Sequence, residues 1–138
     1  MKPATGGVIM AFDFGLRHIG VALGQTVTHT ATGVATLKAK DGKPDWRALQ
    51  RLLEEYRPTQ LVVGLPLNMD GSPSEMSELA ERFAEQLGRR SGLAVTMQDE
   101  RLSSHAAKAA FEDAKAAGQA STEHELAACL ILSGWLGS

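Results

Sequence analysis

Residues 8–24, VIMAFDFGLRHIGVALG, decide the fold of this chain. Five apolar residues, Val8 to Phe12, run directly into Asp13. A carboxylate at the end of a buried strand is costly unless something pairs with it. Gly15 allows a sharp turn, and a second apolar run follows from Ile19 to Leu23. Two short apolar runs around a glycine-containing turn read as a β-hairpin. Asp13 therefore ends a central strand beside a reversal of the chain, a place suited to a metal ligand or an acid/base group. The plainer reading is an Asp that caps the turn before Gly15.

Working outward, residues 27–38 are rich in Thr, Val and Ala and read as a third strand completing an antiparallel meander. Asp41-Gly42 marks a turn, and Pro44 suits the first turn of a helix. Trp46, Leu49, Leu53 and Tyr56 keep helical spacing as far as Arg57, where Pro58 stops it. Residues 60–65, QLVVGL, form a nearly continuous apolar strand of the kind buried on both faces. A loop follows over 66–71, PLNMDG. Ser72 then reads as an N-cap, with Pro73 first in the helix and Glu75 completing a capping box. Met76, Leu79, Ala80, Phe83 and Leu87 make one apolar face of a helix ending near Gly92.

Residues 93–98 form the next strand, with Asp99-Glu100-Arg101 at its C-terminal end. Ser103 or Ser104 caps an Ala-rich helix to about Lys115, and 116–121, AAGQAS, reads as mobile. The last helix covers 122–136, with Leu126, Leu130 and Ser133 or Cys129 inward. The order β-β-β-α-β-α-β-α-α matches an α/β ribonuclease H-like fold: a mixed five-stranded sheet with helices on both faces. Residues 1–138 make a single domain, with 1–7 a loose N-terminal tail. Charged groups at the strand ends gather at one crevice in such a sheet.

Composition narrows the function classes. The 43% hydrophobic and 22% charged content is that of a soluble globular domain. One cysteine excludes an internal disulfide. The opening MKPATGG has no apolar stretch behind its lysine, and no run has transmembrane length, so a cytoplasmic protein without a membrane partner is expected. A formal net charge of -2 argues against a broadly basic nucleic-acid coat. A local basic patch or a metal-bridged phosphate remains compatible with it.

Several residues can carry chemistry. Asp13 and Glu100 sit at predicted strand ends, and two such acids can share magnesium ions that clamp both oxygens of a phosphodiester in hydrolysis. Carboxylates suit Mg2+ or Mn2+ rather than zinc. The plain reading of Asp99-Glu100 is a solvated strand end. A third ligand would come from the first turn of the last helix, which holds Glu123, His124 and Glu125. Thr122 and Glu125 fit a capping box, and Glu123 is favourable charge at a helix N-terminus. His18, His29, His105 and His124 show no close ligand spacing, which argues against a zinc site. Arg17 and Arg101 suit phosphate binding through their planar forks, or simple pairing with carboxylates. Asn68, Ser103 and Ser104 could meet a nucleic-acid backbone, or serve only a connection and a cap.

Four segments together carry a resemblance. AFDFGLRHIGVALG from Ala11, LVVGLPLNMDGSPSE from Leu61, DERLSS from Asp99 and ELAACLILSGWL from Glu125 resemble, in order and over nearly the whole chain, the YqgF/RuvX family. That family is described as Holliday-junction resolvases and as pre-16S ribosomal RNA nucleases. The resemblance implies metal-dependent phosphodiester hydrolysis on a ribonuclease H-like fold. It implies metal-binding acids at Asp13 and Glu100, a site neighbour at Arg101 and a substrate contact in the Asn68 loop. His124 stands where the family has Asp, so it brings a possible ligand without negative charge.

The leading expectation is a nuclease acting on structured nucleic acid with two divalent metals, processing pre-16S rRNA. Asp13, Glu100 and His124 hold the metals, and Arg17 and Arg101 steady phosphates. A Holliday junction resolvase and a weakly active ribosome-assembly module are the alternatives. A junction substrate suits a dimer with paired sites, though the sequence carries no dimer signal, so a monomer or weak homodimer is expected. An actin-like or sugar-kinase ATPase needs two such domains, and 138 residues hold one.

Overall fold

The structure, a computed structural model, describes residues 7–26, 30–99 and 122–137. Its elements are β1 (Val8–Asp13), β2 (His18–Gln25), β3 (Thr30–Lys40), β4 (Lys43–Pro44), α1 (Trp46–Tyr56), β5 (Gln60–Leu65), α2 (Glu75–Ser91), β6 (Val95–Asp99) and α3 (Glu123–Leu136). The strands form one sheet in the order β4-β3-β2-β1-β5-β6. Strands β1 to β4 pair antiparallel, and β5 and β6 continue the sheet parallel to β1. The mixed α/β architecture with helices on both faces is as the sequence indicates. The sheet has six strands rather than five.

The extra strand comes from the turn at Asp41-Gly42. Both residues have positive φ, 51° and 81°, which folds the chain straight back so that Ala39 pairs with Pro44 and Lys40 with Lys43. Pro44 thus belongs to an edge strand, where its missing N–H is tolerated, and not to the first turn of α1. Asp45 caps α1 instead, its carboxylate accepting from the N–H groups of Arg47 (3.0 Å) and Ala48 (3.4 Å). The cap of α2 also differs from expectation. Ser74, not Ser72, accepts from the N–H of Ser77, and the Ser77 hydroxyl accepts from the N–H of Ser74 at 2.7 Å. Ser72 is held in the preceding loop by Asp70.

Two cores lie on either side of the sheet. Met10 and Phe12 of β1, Ile19 and Val21 of β2, and Leu61 and Val63 of β5 face α1 and α2. There Phe83 packs edge-on to Phe12 and stacks with Trp46, each at 5.8 Å between centroids. The alternate residues Ile9, Ala11, Ala22 and Val62 face α3. On that face β2 offers Gly20, Ala22 and Gly24, which lets the helix lie close. A Cβ on Gly24 would come 2.7 Å from Leu132 Cδ2. Helix α3 buries Ala128, Cys129, Ile131, Leu132, Trp135 and Leu136, leaving Leu126 and Leu130 only partly covered and Ser133 at intermediate exposure. Its apolar residues run almost all the way round, so spacing alone could not select the inward ones.

Candidate active site at the end of the central strand

Asp13 is the last residue of β1 and is half-buried. It pairs across β2 with Gly20, and Phe12 pairs with Val63 on β5, so Gly64 follows beside it. The alternation of β1 places Asp13 on the same face as Ile9 and Ala11, the face covered by α3. The carboxylate therefore stands in a row with a glycine on either side, and α3 comes down over the glycine on the β2 side.

The start of α3 lies over this row. Thr122 caps the helix, its hydroxyl accepting from the N–H of Glu125 at 3.0 Å. The same hydroxyl lies 2.8 Å from that of Thr36, the β3 residue paired with Gly20. A Cβ at Gly20 would overlap the carbonyl of His124 and come 3.0 Å from the N of Glu125. Glycine is thus required at position 20 for close approach, not for turn geometry. The His124 ring stacks on His18, with centroids 4.7 Å apart and planes 22° apart. Four histidines without ligand spacing in sequence thus include a pair that the fold brings together.

Glu125 stands at the capping position and is buried there. It is one of two polar residues buried among the described residues, 6% exposed, with Oε2 3.4 Å from the Thr122 hydroxyl. One turn further along, Cys129 lies on the buried side. Burial, and then the Glu125 carboxylate, push its thiol up from 9.0 to about 12. Glu123 is exposed.

The other candidates lie around the same end of the sheet. Arg17 is exposed in the β1–β2 connection, where its carbonyl accepts from the N–H of Ala39 at 2.8 Å. Asn68 closes the β5–α2 loop: its side-chain nitrogen donates to the Ser72 hydroxyl (3.0 Å) and to the Pro73 carbonyl (3.2 Å). Asp99 ends β6, which is separated from β1 by β5. Two strand spacings, about 10 Å, thus separate the ends of β1 and β6. Glu100, Arg101, Ser103, Ser104 and the segment 116–121 lie outside the described residues. Among the described residues no three His, Cys, Asp or Glu side chains are grouped so as to hold a metal ion. What the described part offers a hard cation is the Asp13 carboxylate at the end of β1, with His124 and the Glu125 carboxylate above the neighbouring strand and Asp99 two strands away.

Gly20, Thr36 and His18 are the site neighbours that sequence reading missed. A glycine inside an otherwise apolar strand was the available signal for Gly20. Thr36 and His18 gave none, because their partners lie far away in sequence.

The sheet order, with an acid at the end of its central strand, defines the class: a ribonuclease H-like fold of the resolvase type. The Thermus thermophilus RuvC solved with a Holliday junction substrate shares it with a TM-score of 0.60 at 15% identity, over 94% of this chain and 93% of that one. Residues 7–138 match the RuvX model, described as Holliday junction resolvase, and the chain belongs to the RuvX family. It is 49% identical over 134 residues to a relative from Pseudomonas paraeruginosa, covering 94% of this chain and 91% of the relative. A relative from Azotobacter vinelandii is 48% identical over 131 residues, covering 94% and 92%. Both relatives bear the provisional name pre-16S rRNA nuclease. Among the described residues no helix is long and apolar enough to cross a membrane.

Proposed function

We propose that this protein is a metal-dependent nuclease that hydrolyses phosphodiester bonds of structured RNA, with pre-16S rRNA as its substrate. The observation that carries the reading is Asp13. It ends the central strand between two glycine positions, with the first turn of α3 docked over Gly20. The names of the curated relatives direct the substrate toward ribosomal RNA rather than branched DNA.

In this reading Asp13, Glu100 and His124 hold Mg2+ or Mn2+, with Glu125 the rival third ligand. A bound divalent ion supplies Lewis-acid polarisation of the phosphate and acidifies water. The chain's own residues do the rest. Asp13 supplies fixed negative charge at the end of the central strand, beside the docked first turn of α3. The stack on His18 limits the rotamers of His124, so its imidazole is held rather than searched for. Asn68 shapes the β5–α2 loop through its bonds to Ser72 and Pro73, so its part in substrate contact is to position backbone amides. Arg17 and Arg101 steady phosphates as bidentate donors, and Ser103 and Ser104 donate to the backbone.

The test is cleavage of a pre-16S rRNA 5′ leader fragment and of a four-way DNA junction, each with magnesium and with manganese. Cleavage of the RNA, lost in Asp13→Asn, is the expected result. Preferential cleavage of the junction would move the assignment to a resolvase.

A further inference from the structure

We propose that a groove between α1 and α2, on the face of the sheet opposite Asp13, binds the phosphodiester backbone of a nucleic-acid strand extending from the substrate. The proposal rests on the nuclease reading for the identity of the partner, and on its own residues for the site.

The groove has a volume of about 420 Å3 and is floored by Leu49. Arg47, Gln50 and Arg51 line it from α1, and Arg90 and Trp46 complete it. Arg47 and Arg51 are one helical turn apart and share a face of α1. Among the described residues no carboxylate lines the groove; Glu54 and Glu55 follow Arg51 by three and four residues on α1, and Asp45 is engaged in capping it. Three guanidinium groups gathered in one groove stand out in a chain whose net charge is -2. Arg47 also occupies the first turn of α1, which holds no acidic residue. That is against the usual dipole preference, which favours acids there. The positive potentials of the helix end and of the arginines reinforce each other.

Arg90 lies over the Trp46 ring, its Cζ 4.3 Å from the centroid. Stacking on the ring face leaves the in-plane N–H donors pointing outward, the geometry in which arginine grips a phosphate. Trp46 is itself held by its stack on Phe83, so the platform is anchored in the core. Guanidinium groups set beside a partly buried aromatic ring supply the charge by which single strands are tracked without sequence preference.

The test uses the full chain carrying Asp13→Asn, so that bound strands are not cut. Binding of a labelled unstructured twelve-nucleotide RNA is followed by fluorescence anisotropy across a salt series. The triple variant Arg47→Gln, Arg51→Gln, Arg90→Gln should flatten the slope of log affinity against log salt by about 2, given roughly 0.7 per phosphate on single strands. Affinity should fall at least about tenfold at ~0.1 M salt. The matching triple lysine variant should keep most of the slope, and Arg89→Gln, whose arginine already pairs with Glu85, should leave it unchanged. If the triple glutamine variant fails to fold by circular dichroism, Arg51→Gln alone should still flatten the slope by about 0.7.

An unchanged slope in the glutamine variants overturns the proposal, as does a lysine variant as weak as the glutamine one. Loss of binding to phosphatidylserine vesicles with RNA binding intact also overturns it, by showing a lipid surface. Cleavage by the wild-type chain together with an unchanged slope sinks the groove and leaves the nuclease reading standing. A groove-dependent slope in a chain that cleaves nothing does the reverse.

Discussion

His18 and His124 stack at 4.7 Å between ring centroids, one at the start of β2 and the other in the first turn of α3. The stack, the Thr36–Thr122 hydroxyl pair and the close approach at Gly20 fix the N-terminus of α3 to the end of the sheet where Asp13 stands. Whatever α3 contributes to the site is therefore set by contacts on β2 and β3.

The third ligand is decided by comparing His124→Ala, His124→Asp and Glu125→Gln. An imidazole ligand must be neutral and brings a softer donor than oxygen, so it favours manganese over magnesium. His124→Asp should raise magnesium-supported cleavage, and His124→Ala should lower manganese affinity roughly tenfold or more. His18→Ala should cost about 1 kcal/mol of stability by removing the stack, with a smaller loss of manganese affinity. Isothermal titration with Mn2+ and cleavage rates check these. A mild His124→Ala with a severe Glu125→Gln would transfer the role to the buried Glu125.

Two glycines should respond in opposite directions. Gly20→Ala places a methyl group into the backbone of α3 at His124 and Glu125. It should destabilise by about 3 kcal/mol and abolish cleavage together with α3 docking. Gly88→Ala sits within α2, where a Cβ meets Val95 Cγ2 at 3.5 Å and the Leu93 carbonyl oxygen at 3.8 Å, both ordinary contacts. It should stabilise by about 0.8 kcal/mol through helix propensity. Urea midpoints for both variants test this, and a neutral Gly20→Ala would show that α3 does not sit where described.

Asp13→Asn should lose cleavage by at least about a thousandfold while its thermal midpoint stays equal to or above that of the wild type. Asp13 is half-buried, so exchanging its charge for a neutral amide of the same shape lowers the cost of desolvation. Calorimetry beside the cleavage assay measures both, and undiminished specific activity would place the chemistry elsewhere.

Cys129 gives a pH dependence with a definite sign. Its folded-state value of about 12 lies above the ordinary 9.0, so the folded chain holds this proton more tightly than the unfolded chain does. The resulting stability is fully present below about pH 9 and is lost as pH rises toward 12. Urea unfolding at pH 8 and at pH 10.5 should show a decline in the wild type that is smaller in Cys129→Ala. Equal declines would mean that other groups account for it.

The sequence by itself determined the types of the described elements other than β4, the hairpin around Asp13 and the family. Apolar runs of strand length, helical spacing from Trp46 to Tyr56 and a glycine at the end of α2 are local signals, and local physics answers them. Local signals misplaced what short-range competition settles: Pro44 went to a strand because the turn at Asp41-Gly42 brought it beside Ala39, and Ser74 took the cap because Ser72 was held by Asp70.

Only the tertiary structure decided what stands around Asp13. Gly20 reads as a weak strand residue until α3 is seen lying on it. Glu125 reads as a cap until the same docking buries its side chain, and His18 and His124 are unrelated until β2 and α3 meet. Each of these depends on contacts between segments distant along the chain. Their free energy resides in the packing of α3 on the sheet, and no window of sequence contains both partners.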